Sequence, residues 1–190
     1  MKGSTRMIVA GLMIAALTLL ASTAMAKVRE YWIAADEVNW DYAPSFPTNL
    51  MSGEDFTDDQ RVFVEEAIGR VYVKSLYREY TADFQALKPR GPGEEHLGIL
   101  GPVVRAEVGD KIIIHFKNNT AFPASIHPHG VFYTKEHEGA PYADGTSGAD
   151  KDDDLVPANG GTHTYVWGVP NRAGTQRPLV DCLALSFSFG

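Results

Sequence analysis

Between Leu97 and Asn119 the chain reads Leu-Gly-Ile-Leu-Gly-Pro-Val-Val-Arg-Ala-Glu-Val, then Gly109-Asp110, then Lys-Ile-Ile-Ile-His-Phe-Lys-Asn-Asn. β-Branched residues at this density, broken by a Gly-Asp turn, predict two strands and leave little room for a helix. The flanking sequence points the same way. Val28 to Val38 mixes β-branched and aromatic residues and stops before Pro44 and Pro47. Val71-Tyr72-Val73 with Leu76-Tyr77, and the alternating run from Thr162 to Val169, predict further strands. Only Ser52 to Gly69 departs: Asp58 and Asp59 ahead of Phe63, Val64 and Ala67 fit a short helix or an irregular insert. Lys88 to Gly93 is a loop, and Glu138 to Gly161 is expected to be a long surface loop, too polar to pack. Many short strands with little helical period predict an all-β protein, a Greek-key β-sandwich or barrel.

A length of 190 residues suits one substantial domain, and no internal repeat is present. Lys2 and Arg6, the apolar run Met7 to Leu20 and then Ala24-Met25-Ala26 have the pattern of a secretory signal. The apolar run is shorter than the roughly 20 residues a membrane-spanning helix needs. Residues 1–26 are therefore expected to be removed, leaving an exported protein, periplasmic or secreted, that begins near Lys27 and has no membrane partner. A net charge of -7 with acids and bases interspersed argues against nucleic acid or an anionic membrane, both of which demand a basic face. The single cysteine, Cys182, excludes an internal disulfide even where the compartment would allow one.

The sharpest motif is Ser125-Ile126-His127-Pro128-His129-Gly130. Neutral imidazole is a good copper ligand, Pro128 stiffens the bridge, and Gly130 permits an unusual backbone path. The two imidazoles are expected to leave the extended backbone on opposite faces and to reach different metals. Spacing alone does not separate such a pair from a chance one. His115, in an apolar strand, reads as structural, and His163 as exposed or satisfied; His96 has no identifiable partner, and His137 follows as a weak metal candidate.

The wider context carries more. Tyr31 to Pro44, His96-Leu97-Gly98-Ile99-Leu100-Gly101-Pro102, Ala106 to Asp110, Lys117-Asn118-Asn119, His127-Pro128-His129-Gly130 and Lys135-Glu136-His137-Glu138-Gly139-Ala140, in that order, resemble the multicopper oxidase family, in its ceruloplasmin-like branch and first domain. The resemblance covers most of Val28 to Gly174 and implies a cupredoxin (plastocyanin-like) domain over 27–174. It implies that His127 is a type 2 copper ligand and His129 a type 3 ligand of the cluster that reduces dioxygen to water, a cluster built from four such pairs. The remaining pairs would come from further oxidase domains, the partners of the intact ancestor. It also implies a candidate calcium set, Lys135, Asp150, Asp153 and Asp154, since carboxylates and backbone carbonyls are hard ligands suited to that ion.

After Gly174 the resemblance stops. From Arg177 onward the chain can be back-translated so that the next frame reads Asp-Pro-Ser-Ser-Ile-Val-Trp-Leu-Tyr-His-Ser-His, the strand and histidine pair the family would place there. Residues 175–190 are therefore expected to be an out-of-frame tail, with the family's C-terminal strand lost and a sheet edge left unpaired. Cys182 has none of the neighbours of a type 1 copper site. The expected function is that of a copper-binding domain of a multicopper oxidase, inactive alone. The rival is a non-catalytic cupredoxin-like scaffold module that uses calcium.

Overall fold

The computed structural model describes residues 26–65 and 69–171, together with the backbone of 179–180 and 185–189. The elements are β1 (Val28–Asp41), α1 (Asp58–Arg61), β2 (Val71–Tyr80), β3 (Ala106–Glu107), β4 (Lys111–Asn118), β5 (Ala124–Pro128), β6 (Gly161–Gly168), β7 (Leu179–Val180) and β8 (Leu185–Phe189). One sheet runs β2-β1-β4-β6; β3 pairs with β7, and β5 with β8. β1 is antiparallel to β2 but parallel to β4, with Val28 opposite Lys111 and Ala35 opposite Asn118. The predicted all-β cupredoxin-like class holds.

Period-two alternation sets the core. In β4, Ile112, Ile114, Phe116 and Asn118 point inward while Lys111, Ile113, His115 and Lys117 face out. β6 adds Tyr165 and Trp167, β1 adds Ile33 and Ala35, and β5 closes the other side with Ala124 and Ile126. Asn118 is fully buried and fully used. Its amide donates to the carbonyls of Phe122 at 2.8 Å and Val156 at 2.9 Å, and its oxygen accepts from Thr120 N and Oγ1.

Two expectations need correction. The arm Leu97 to Val108 does not form a hairpin with β4: Glu95–Leu97 is a 3₁₀ turn, and only Ala106–Glu107 is strand. Pro102 lacks a ladder donor, Gly98 takes φ 53°, and the Arg105 backbone satisfies itself on the Tyr31 hydroxyl. The stretch 138–161 is not merely a surface loop, because Gly139, Asp153, Asp154 and Val156 are buried against β5 and β6. The insert after β1 does contain the short helix α1, where Gln60 Oε1 accepts the Thr57 N–H at 3.1 Å.

A sheet edge is expected to stand open after the lost strand; β5 carries β8 along its edge, with Ala124 opposite Phe189 and Pro128 opposite Leu185. Ladder bonds use backbone groups that every non-proline residue carries, so a foreign sequence can pair there. Cys182 lies outside the described residues.

Candidate metal centre

His127 is half-buried near the end of β5, and His129 stands exposed just beyond it. Their ring centroids are 4.9 Å apart and edge-on. This overturns the opposite-face expectation: in an extended chain every second side chain returns to the same face, so the pair opens on one side and can serve one metal region. Tyr133 flanks His127 at 5.9 Å between centroids. His127 Nδ1 lies 2.7 Å from the Glu138 carbonyl oxygen. A carbonyl only accepts, so the neutral ring carries its proton on Nδ1 and presents Nε2 as a lone pair. The donor chemistry fits copper, although two nitrogens do not complete a site. Among the described residues no group of three or more His, Cys, Asp or Glu is placed to hold a metal ion.

The other histidines lie elsewhere. His115 stacks on Trp32, centroids 4.7 Å apart, on the outer face of the sheet. His163 Nε2 lies 3.1 Å from the Glu136 carbonyl oxygen, and its ring is 6.0 Å from that of His137. Burial holds the His163 ring below the ordinary histidine value, against the opposing pull of the Glu136 carbonyl and Asp153.

The acidic set is only partly assembled. Asp150 is exposed, whereas Asp153 and Asp154 are buried, each with its Oδ1 lacking a hydrogen-bond partner among the described residues. Lys135 turns its ammonium onto Asp144 at 2.8 Å and Glu138 at 2.9 Å, with Asp154 at 3.7 Å. Lys151 bridges Asp144 at 3.0 Å and Asp154 at 2.9 Å. The Lys135 contact holds Asp144 far below the usual carboxylate range. Lys135 itself is raised: burial works against it, and the Asp144 and Glu138 carboxylates outweigh burial. The cluster therefore holds four carboxylates against two ammoniums, and Asp153 has neither ammonium.

Three participants were not legible beforehand. Asp144 carried no spacing signal. Gly139 sits within the family-like Lys135 to Ala140 segment, but its role appears only where it crosses β5: a Cβ there would lie 2.1 Å from the Ile126 oxygen. Tyr165 looked like an ordinary core aromatic, yet its hydroxyl donates to the Asp153 carbonyl at 2.9 Å and accepts from Ile126 N at 3.2 Å.

The profile of the family described as multicopper oxidase matches residues 97–176. Ceruloplasmin of Rattus norvegicus is 47% identical over 170 residues, covering 86% of this chain and 16% of that protein. Ferroxidase HEPHL1 of Homo sapiens is 44% identical over 161 residues, 82% of this chain and 14% of that protein. Coagulation factor V of Homo sapiens is 38% identical over 162 residues, 84% of this chain and 7% of that protein. The chain thus spans a small fraction of the length of the relatives it matches. With its sheet topology and its histidine pair, the chain is a ceruloplasmin-like cupredoxin domain of the multicopper oxidase family.

Proposed function

We propose that this domain binds copper through His127 Nε2 and the His129 imidazole, contributing one histidine pair to the trinuclear cluster of a larger oxidase, and that alone it does not turn over substrate. Copper, when bound, supplies one-electron redox chemistry and a place for dioxygen. The chain's own part is to hold two imidazoles on one face with the His127 tautomer set for coordination. The carrying observation is that 4.9 Å pair with Nδ1 of His127 already engaged. Calorimetric titration of the full chain with cupric ion tests it. Heat of binding should fall sharply in His127→Ala and in His129→Ala, with no oxidase activity in any of the three; equal binding by all three rejects the assignment.

A second reading has its own observation: among the described residues the Oδ1 atoms of Asp153 and Asp154 are buried without a hydrogen-bond partner, Asp154 Oδ1 facing the Lys135 ammonium only at 3.7 Å, which suits a hard cation and a scaffold role like that of a non-catalytic module. Calcium raising the melting temperature of the parent chain but not of Asp154→Ala would support it. No calcium effect on either would reject it.

The division of the chain is part of the same proposal: residues 1–26 an export signal, 27–174 the domain, 175–190 an out-of-frame tail. Pairing of β8 with β5 does not decide the frame, because ladder bonds do not read side chains. Resequencing the gene through the codons for Arg172 to Gly190 and beyond decides it. A next frame that continues into further His-x-His pairs supports the division, and a clean stop with no oxidase sequence downstream refutes it.

A further inference from the structure

We propose that Asp153 is a positioning residue for the copper ligand His127, acting through the Glu138–Gly139 peptide; this rests on the copper reading above. The Glu138 carbonyl and the Gly139 N–H belong to one planar trans peptide and point in opposite directions. On one side the Glu138 oxygen takes the His127 Nδ1 proton at 2.7 Å. On the other, the Gly139 N–H donates to Asp153 Oδ2 at 2.6 Å in a buried bond. The direction of the carbonyl that orients His127 is thus fixed by the carboxylate behind it.

The surroundings hold this relay in place, and it uses only the Oδ2 atom of Asp153. The Gly139 carbonyl accepts Ser125 Oγ at 2.7 Å, so the segment is clamped to the strand that bears His127. Gly139 has φ 65°, and only a residue without Cβ passes so close to Ile126. The Asp153 backbone is located by the Tyr165 hydroxyl. Its side chain is completely buried, and the second carboxylate oxygen has no hydrogen-bond partner among the described residues. A buried carboxylate is costly, and the bond this one does make is to the peptide behind the metal ligand. Its charge polarises that peptide, which strengthens the carbonyl as an acceptor and makes Nε2 a better donor to a metal.

The test uses the full metal-free chain with ¹⁵N-labelled histidine at about pH 8, where imidazole is neutral. The His127 ring should show its proton on Nδ1. In Asp153→Ala the two tautomers should mix and cupric affinity should drop about tenfold. Asp153→Asn keeps an acceptor in place and should retain the parent tautomer, a rescue that simple loss of packing would not produce. Should Asp153→Ala lose the parent's β-sheet circular dichroism, Asp153→Leu fills the space without an acceptor and takes its place. A parent chain with the His127 proton on Nε2, or a folded Ala or Leu variant with unchanged tautomer, overturns the assignment. Absence of copper binding by the parent chain would instead sink the copper reading and leave the tautomer result to judge Asp153.

Discussion

The Asp110 carboxylate accepts the backbone N–H of Lys27 at 2.8 Å, pinning the residue before β1 to the turn before β4. The same carboxylate accepts from Glu107 N at 2.9 Å and from Arg29 Nε. Burial alone would raise the Asp110 value; these donors and the Arg29 charge outweigh it and hold the group below the ordinary 3.8. A depressed carboxylate contributes stability that is present above its unfolded value and lost as pH falls through its folded one. Melting temperature should therefore fall as pH drops below about 4. Asp110→Ala should cost about 1–3 kcal/mol at neutral pH by stranding buried donors, and should flatten that acid limb.

The same contact makes the start of the chain a variable. A chain produced to begin at Lys27 places a free α-ammonium where an amide now donates. That amine gains an anionic partner, so its added stability is full below its unfolded value of about 8 and is lost as pH rises through the folded one. The Lys27-initiated chain should exceed its N-acetylated form by about 1 kcal/mol at neutral pH, with the gap closing in alkali. Parallel thermal melts of the two forms measure it.

Burial disfavours the charged form of His163 in the folded chain. The unfolded chain binds that proton more readily, so stability should decline as pH falls below about 6.5. His163→Gln should reduce the slope of melting temperature against pH in this window while leaving the limb below pH 4 intact. An unchanged slope would refute the assignment.

Gly139→Ala and Gly161→Ala should be severe. The added Cβ would lie 2.1 Å from the Ile126 oxygen in the first and 2.2 Å from the Pro157 oxygen in the second. Each should cost more than about 3 kcal/mol in urea denaturation. Gly53→Ala shares the positive φ of Gly139 but meets nothing within 4 Å, so it should cost only about 1 kcal/mol and isolates the clash at Gly139.

Sequence periodicity reached β1, β4 and β6 because alternation reports directly on a sheet with one buried face. It failed at Leu97 to Arg105, where the chain runs outside any strand because Pro102 cannot donate and Gly98 turns the backbone. The histidine pair was legible as a motif, and its one-sided geometry follows from the same period of two. The support behind it was not. Glu138 acts through its carbonyl, Gly139 through its missing Cβ and Tyr165 through its hydroxyl, and none of these leaves a spacing signature. The polarity of 138–161 misled because buried carboxylates such as Asp153 and Asp154 read as solvent-exposed: Asp153 accepts from the Gly139 backbone, which leaves no mark in the sequence, and Asp154 pairs with Lys151, a charge that itself reads as solvated.

The parallel union of β1 with β4 governs how the domain can be made. β2 can pair with β1 early, but the far edge of β1 finds its partner only after the chain has passed Lys111, and β6 joins later still. Closing so long a loop costs entropy before any contact repays it. Folding should therefore fall in the slow range of β-rich domains, milliseconds to seconds. On a ribosome, the β1–β2 hairpin would wait half-covered until β4 emerges, the interval in which its apolar face is most exposed to misassociation.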